Sequence, residues 1–248
     1  MGYFTPAARL ALALAALAAF VASGAKAQIA VPSGVYVRGE AGVAFHEDVN
    51  FTDLHTTAPD CFLCGGTAAI PAGTSGIFGG AVGLRLNEIA RTDLSVDYLT
   101  SATINGQNGA NPPTTLSSRF NSLVVLANGY LDFPEFPRGV LGPFIPYVGG
   151  GLGFAQNSLG AISGTTDAAG TYTLSGRNRT TFAYAFGLGV SYPVAPRFTI
   201  DFGYRFFDLG DLETGTSLVQ KGATVQVTGA RSDGISVQTV IAGLRYEL

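Results

Sequence analysis

The sequence predicts an all-β fold, an eight-stranded antiparallel up-and-down transmembrane β-barrel, on three observations. Apolar residues recur at every second position over eight separate stretches, the mark of strands with one apolar face. Beyond residue 27 no apolar run reaches the roughly 20 residues of a membrane-spanning helix, yet the mean hydropathy is +0.31. The connections alternate long and short, which puts the short turns at one end and the long loops at the other.

Residues 1–27 read as a cleaved export signal, leaving residues 28–248 as the barrel domain. Arg9 precedes an apolar run over residues 10–21, and Ala25-Lys26-Ala27 offers a small-residue cleavage site. Removing Arg9 and Lys26 leaves 12 basic residues against 17 acidic ones, a net charge of −5. Such a chain lacks the basic patch of a nucleic-acid binder, so no nucleic acid is expected as a partner.

The clearest strands are residues 181–192 and 198–207. In the first, Phe182, Tyr184, Phe186, Leu188, Val190 and Tyr192 alternate with Thr181, Ala183, Ala185, Gly187, Gly189 and Ser191. In the second, Phe198, Ile200, Phe202, Tyr204 and Phe206 alternate with Thr199, Asp201, Gly203, Arg205 and Phe207. The short Pro193-Val194-Ala195-Pro196 connection makes them antiparallel neighbours.

The other strands follow in order. Residues 35–45 set Val35, Val37, Ala41, Val43 and Phe45 against Tyr36, Arg38, Glu40 and Ala44. A long polar stretch, 47–75, precedes the second strand, 76–86, where Phe78, Val82 and Leu84 oppose Ile77, Ala81 and Arg85. The third, 91–100, sets Leu94, Val96 and Tyr98 against Asp93, Ser95 and Asp97. A second polar stretch, 101–117, carries Asn105-Gly106, Asn108-Gly109 and Pro112-Pro113, all turn chemistry. The fourth strand, 118–132, is apolar on both faces at 123–126. Its favoured phase points Leu123, Val125, Ala127 and Leu131 outward and Asn128 inward.

The fifth strand, 144–156, alternates Val148, Leu152 and Phe154 with Tyr147, Gly149, Gly151 and Gly153. No helical pattern follows these glycines, which argues against a dinucleotide-binding turn. Polar stretches 157–179 and 208–233 flank the clear hairpin. The last strand, 234–248, sets Val240, Ala242, Leu244, Tyr246 and Leu248 against Thr239, Ile241, Gly243, Arg245 and Glu247. Across the strands the continuous apolar face includes five tyrosines, and the other face carries nearly all the charges. A soluble barrel would reverse this polarity, at a high cost for the charges inside it. Aromatic strand ends also suit membrane interfaces.

The segments PYVGGGLGFA, FAYAFGLGVSY, FTIDFGYRF and the final GLRYEL resemble the eight-stranded outer-membrane β-barrel proteins of Gram-negative bacteria. That is the porin-like, opacity-protein and OmpA-like membrane-domain group. The resemblance spans essentially all of the chain after residue 27. It implies the cell outer membrane as location, contact with outer-membrane lipid, and reading of the last strand by the barrel-insertion machinery during assembly. That strand usually ends in an aromatic residue in the family, whereas here Leu248 is last and Tyr246 stands two residues before it. The group shares an architecture and not one activity.

Six inward charges form a candidate interior network: Arg38, Glu40, Asp201, Arg205, Arg245 and Glu247. Their strands become neighbours when the barrel closes, with Glu247 lowest and Glu40 and Arg205 highest. Small residues on strands five and six leave space into which long charged side chains can lean. The network reads as a salt-bridge plug, with an ion gate as the alternative, because an eight-stranded interior is just wide enough to be filled by side chains. Cys61 and Cys64 read as a local disulfide in an oxidising compartment. The alternative is a zinc site with His46 and His55. His46, beside Glu47 and Asp48, is the acid–base candidate, and no Gly-x-Ser-x-Gly motif accompanies it. No catalytic, cofactor or metal site is expected. The expected role is structural or surface-interacting, with four outer loops where a host or extracellular ligand would bind. A narrow channel for ions or small solutes is the alternative, ahead of a lipid-modifying enzyme.

Overall fold

A computed structural model describes residues 34–53, 67–107, 115–135, 142–166 and 170–248. Its strands are β1 (Val35–His46), β2 (Val49–Asp53), β3 (Thr67–Ile70), β4 (Thr74–Arg85) and β5 (Ala90–Gln107). Next come β6 (Thr115–Asp132), β7 (Ile145–Leu159), β8 (Ile162–Thr166), β9 (Gly170–Leu174) and β10 (Arg177–Ala195). The last are β11 (Phe198–Asp208), β12 (Ser217–Gln220), β13 (Ala223–Gln226), β14 (Ala230–Ser232) and β15 (Ser236–Glu247).

Eight of these, β1, β4, β5, β6, β7, β10, β11 and β15, pair antiparallel in that order. β15 then pairs β1, from Tyr36↔Glu247 to His46↔Val237, and closes the ring. Closure leaves no barrel edge, as the hydrocarbon region of a membrane requires. Leu94, Leu152, Phe154, Phe182, Phe186, Leu188, Phe202 and Val240 stand exposed on the outside. In the tight turn between β4 and β5, the amides of Ile89 and Ala90 donate to the Asn87 side-chain oxygen at 2.9 and 2.7 Å. At this end aromatic rings pair on the outer face, Phe198 with Tyr246 at 4.8 Å and Phe144 with Tyr192 at 5.2 Å. The fourth strand takes the phase that buries Asn128, Val124 and Leu126 and exposes Val125 and Leu131.

The long connections differ from the polar loops expected from sequence. β5 runs on to Gln107 and β6 starts at Thr115, beyond the ends read from hydropathy. The alternation persists there, but its outward members are Ser101, Thr103, Asn105, Ser117 and Arg119, while Ala102, Ile104, Leu116 and Phe120 stay buried. The outer face turns polar while the strands continue. Seven shorter strands fill the other connections. β8, β9, β12 and β13 extend one sheet outward from β6, and β14, β2 and β3 form a second sheet.

These additions rest on apolar side chains scattered through stretches that look polar on average. Val49, Phe51, Leu116, Leu159, Ile162, Leu174, Leu209, Leu212 and Ile235 pack into one core. The core runs down into the upper barrel through Ile77, Leu99, Phe120, Val124, Leu126, Phe207 and Val237. The chain thus builds a folded head on the barrel. Residues 1–33, with the expected signal, and Cys61 and Cys64 lie outside the described residues.

Candidate functional site

Below the apolar core, inward side chains form a buried charged column. Arg38 on β1 lies 2.9 Å from Glu40 and 3.1 Å from Asp93 on β5, and donates to the Tyr130 hydroxyl at 3.0 Å. Arg205, across on β11, meets the other oxygen of Glu40 at 3.1 Å and Asp97 at 3.5 Å. Glu40 therefore sits between two guanidinium groups, one from its own strand and one from β11 beyond β15, a geometry that keeps a buried carboxylate paired. Asp93 also accepts from the Tyr36 hydroxyl at 3.0 Å and the Asn128 amide at 2.8 Å. Ser95 donates to Asp97 at 3.0 Å.

Arg245 on β15 lies 3.4 Å from Asp201 on β11, and the Ser191 hydroxyl donates to that same carboxylate oxygen at 2.5 Å. Toward the turn end, Glu247 is 2.7 Å from Arg85 on β4, a brace across the closing seam that spans β1. Both side chains are about a third exposed, unlike the pairs above them. Arg91 on β5 meets Asp132 on β6 at 3.1 Å. Its guanidinium lies over the rings of Tyr130 and Tyr147, 4.1 and 4.9 Å from their centroids, so ring faces meet the cation where oxygen does not.

All six charges singled out from sequence face the lumen, but they do not form one cluster. Arg38, Glu40 and Arg205 meet one another, Asp201 and Arg245 form a separate pair, and Glu247 pairs with Arg85. Sequence reasoning missed Asp93, Asp97, Arg85, Arg91 and Asp132 as partners. Their alternation placed the first three on the inner face, and that signal was available. Arg91 and Asp132 stand at strand ends, where a face is hard to assign.

The space left by small residues also fills differently from the expectation. A Cβ added at Gly149 would strike the Tyr130 ring, one at Gly151 the Asn128 side chain, and one at Gly189 or Gly203 the Tyr147 phenol. Tyrosine and asparagine, rather than arginine, lean over the glycine wall because their flat side chains need the missing methyl group. The cavity left beside Asn128, Tyr130, Tyr147 and Arg205 is about 10 Å³, no more than one water-sized sphere.

His46 faces inward at the top of β1, 2.9 Å from the Ser75 hydroxyl and edge-on to Phe120 at 4.9 Å. Glu47 instead accepts from the Gln238 amide at 3.2 Å. In the head, Arg179 bridges Asp211 and Glu213, while Arg177 pairs with Glu213 and Arg231 with Asp211. The Arg177 and Arg179 pairs tie β10 to the connection between β11 and β15, and the Arg231 pair braces that connection itself.

A closed ring of eight strands, an apolar outer belt and a charged, filled interior define a transmembrane β-barrel. The chain belongs to the outer membrane protein β-barrel domain family, whose model matches residues 12–246. It is therefore a protein of the cell outer membrane. It is 29% identical over 252 residues to an uncharacterized protein, BAB2_0314, of Brucella abortus, covering 87% of this chain and 85% of that one. It is 26% identical over 188 residues to outer membrane protein PagN of Salmonella typhimurium, covering 71% and 75% of the two chains. Among solved structures, the outer membrane protein OprG of Pseudomonas aeruginosa is similar in fold. Its TM-score is 0.53 at 12% identity, over 87% of this chain and 97% of that one.

Proposed function

We propose that this protein is a sealed, non-enzymatic barrel that holds a rigid head outside the cell for surface contact. One observation carries the reading: the apolar core of the head continues down inside the barrel and sits directly on the charged column. Ile77, Leu99, Phe120 and Phe207 are 0–1% exposed where a pore would have to run. Apolar side chains packed together offer a hydrated ion nothing to replace its water. The charged column then acts as a plug that holds strands from opposite walls together, not as a gate. The head, braced by its own core and by the Arg177, Arg179 and Arg231 ion pairs, is the part offered to a host or extracellular ligand.

The remaining parts of the reading follow from chemistry. Outer-membrane lipid covers the outward apolar belt, β15 is the strand read by the insertion machinery, and residues 1–27 are removed on export. Cys61 and Cys64 form a disulfide within the first outer connection. Reconstitution in a planar bilayer tests the seal, with no single-channel steps expected. Discrete steps altered by Arg245→Ala would instead establish the gate and the narrow channel.

A further inference from the structure

The outward sheet ends at β13. Among the described residues β13 has one neighbour, β12, and its far edge is unpaired. Lys221 and Gly222 join the two strands with φ values of 49° and 81°, the positive pair of a two-residue hairpin turn. Gln220 and Ala223 close that turn, and the Val227 amide donates to the Thr216 carbonyl at 2.8 Å. By alternation, Ala223, Val225 and Val227 bond inward to the hairpin, while the backbone groups of Thr224 and Gln226 point to the open edge.

All four β13 residues are exposed, Val225 by 50%. Protein edges are ordinarily blunted by charge, proline, a bulge or shortness. From Ala223 to Gly229 this edge has no charge and no proline; shortness is its only protection.

We propose that β13 is a self-pairing edge, docking antiparallel on the β13 of a second copy of this chain. A two-fold axis through Val225 sets Thr224 against Gln226 of the other copy twice over, so that every outward amide meets a carbonyl. The same axis sets Val225 against its own equivalent in a non-hydrogen-bonded pair, where side chains come closest. No like charges face each other, which a self-complementary patch requires. A foreign strand would find the same hydrogen bonds but not the matched valines, and this favours a second copy. Four residues make a weak contact, so pairing depends on the high local concentration that membrane confinement provides.

Lys221 gives a direct probe, because the chain's one other lysine is Lys26 in the expected signal. In the paired register the two Lys221 residues lie roughly 27 Å apart at about 3.4 Å per residue, well within range of energy transfer. Exported protein, from which residues 1–27 have been removed, is labelled there with donor or acceptor and mixed in phosphatidylcholine vesicles. Transfer above random proximity is expected, falling when excess unlabelled protein is added. Thr224→Pro blocks an edge amide that the hairpin does not use, and Val225→Glu sets two carboxylates face to face. Each should reduce transfer to the random level while the heat-modifiable gel mobility of a folded barrel is retained. If Thr224→Pro loses that mobility, Val225→Glu alone decides. Wild-type transfer at the random level, or equal transfer in wild type and the folded variant, overturns self-pairing. Self-pairing goes beyond the sealed-barrel reading and fails separately from it, since conductance does not depend on oligomeric state.

Discussion

Glu40 is held by Arg38 on its own strand and by Arg205 on β11, and all three side chains are buried. Removing one partner of such a group strands the others in a low-dielectric interior. Glu40→Ala should therefore destabilise the folded barrel by about 3–5 kcal/mol, read as a lower urea midpoint in vesicles. Glu247 makes a shorter contact with Arg85, but both side chains are about a third exposed. Water already screens that pair, and Glu247→Gln should cost less than about 1 kcal/mol. Burial, not distance, decides between the two. Glycine gives a second contrast: a Cβ at Gly149 collides with Tyr130, whereas one at Gly39 has nothing within 4 Å. Gly149→Val should abolish the heat-modifiable form on gels, and Gly39→Ala should leave it unchanged.

At the scale of elements, the head stands on apolar side chains that a hydropathy reading passes over. Phe51 on β2 and Leu212 before β12 are 3% and 1% exposed within it. Leu212→Ala should cost about 2–5 kcal/mol of local stability. Added protease should then cut the head of the variant sooner than that of wild type, while the barrel stays protected. The eight barrel strands were legible because their outer faces are continuously apolar, so Phe182 to Val190 and Phe198 to Phe206 declare their period plainly. The head strands were not, because its solvent is water on one side only. A single buried residue such as Ile162 or Leu174 among Ser, Thr and Gly carries no visible period. The same change of solvent hid the upper parts of β5 and β6, whose outward residues turn polar while the strands run on.

For the molecule as a whole, sequence placed the charges on the inner face but could not show what lies above them. Alternation assigns Ile77, Leu99 and Phe207 to the lumen, yet only closure of the ring brings them into one buried core, where the proposed seal lies. The barrel interior thus has two tiers, a charged column joining opposite walls and an apolar core shared with the head. In the proposed reading the charged tier braces the barrel, the apolar tier braces the head, and their junction closes the path. Planar-bilayer recording of the reconstituted wild-type protein tests this seal most directly. A silent membrane, with insertion verified by heat-modifiable mobility, is expected; reproducible single-channel steps from the folded protein would contradict it.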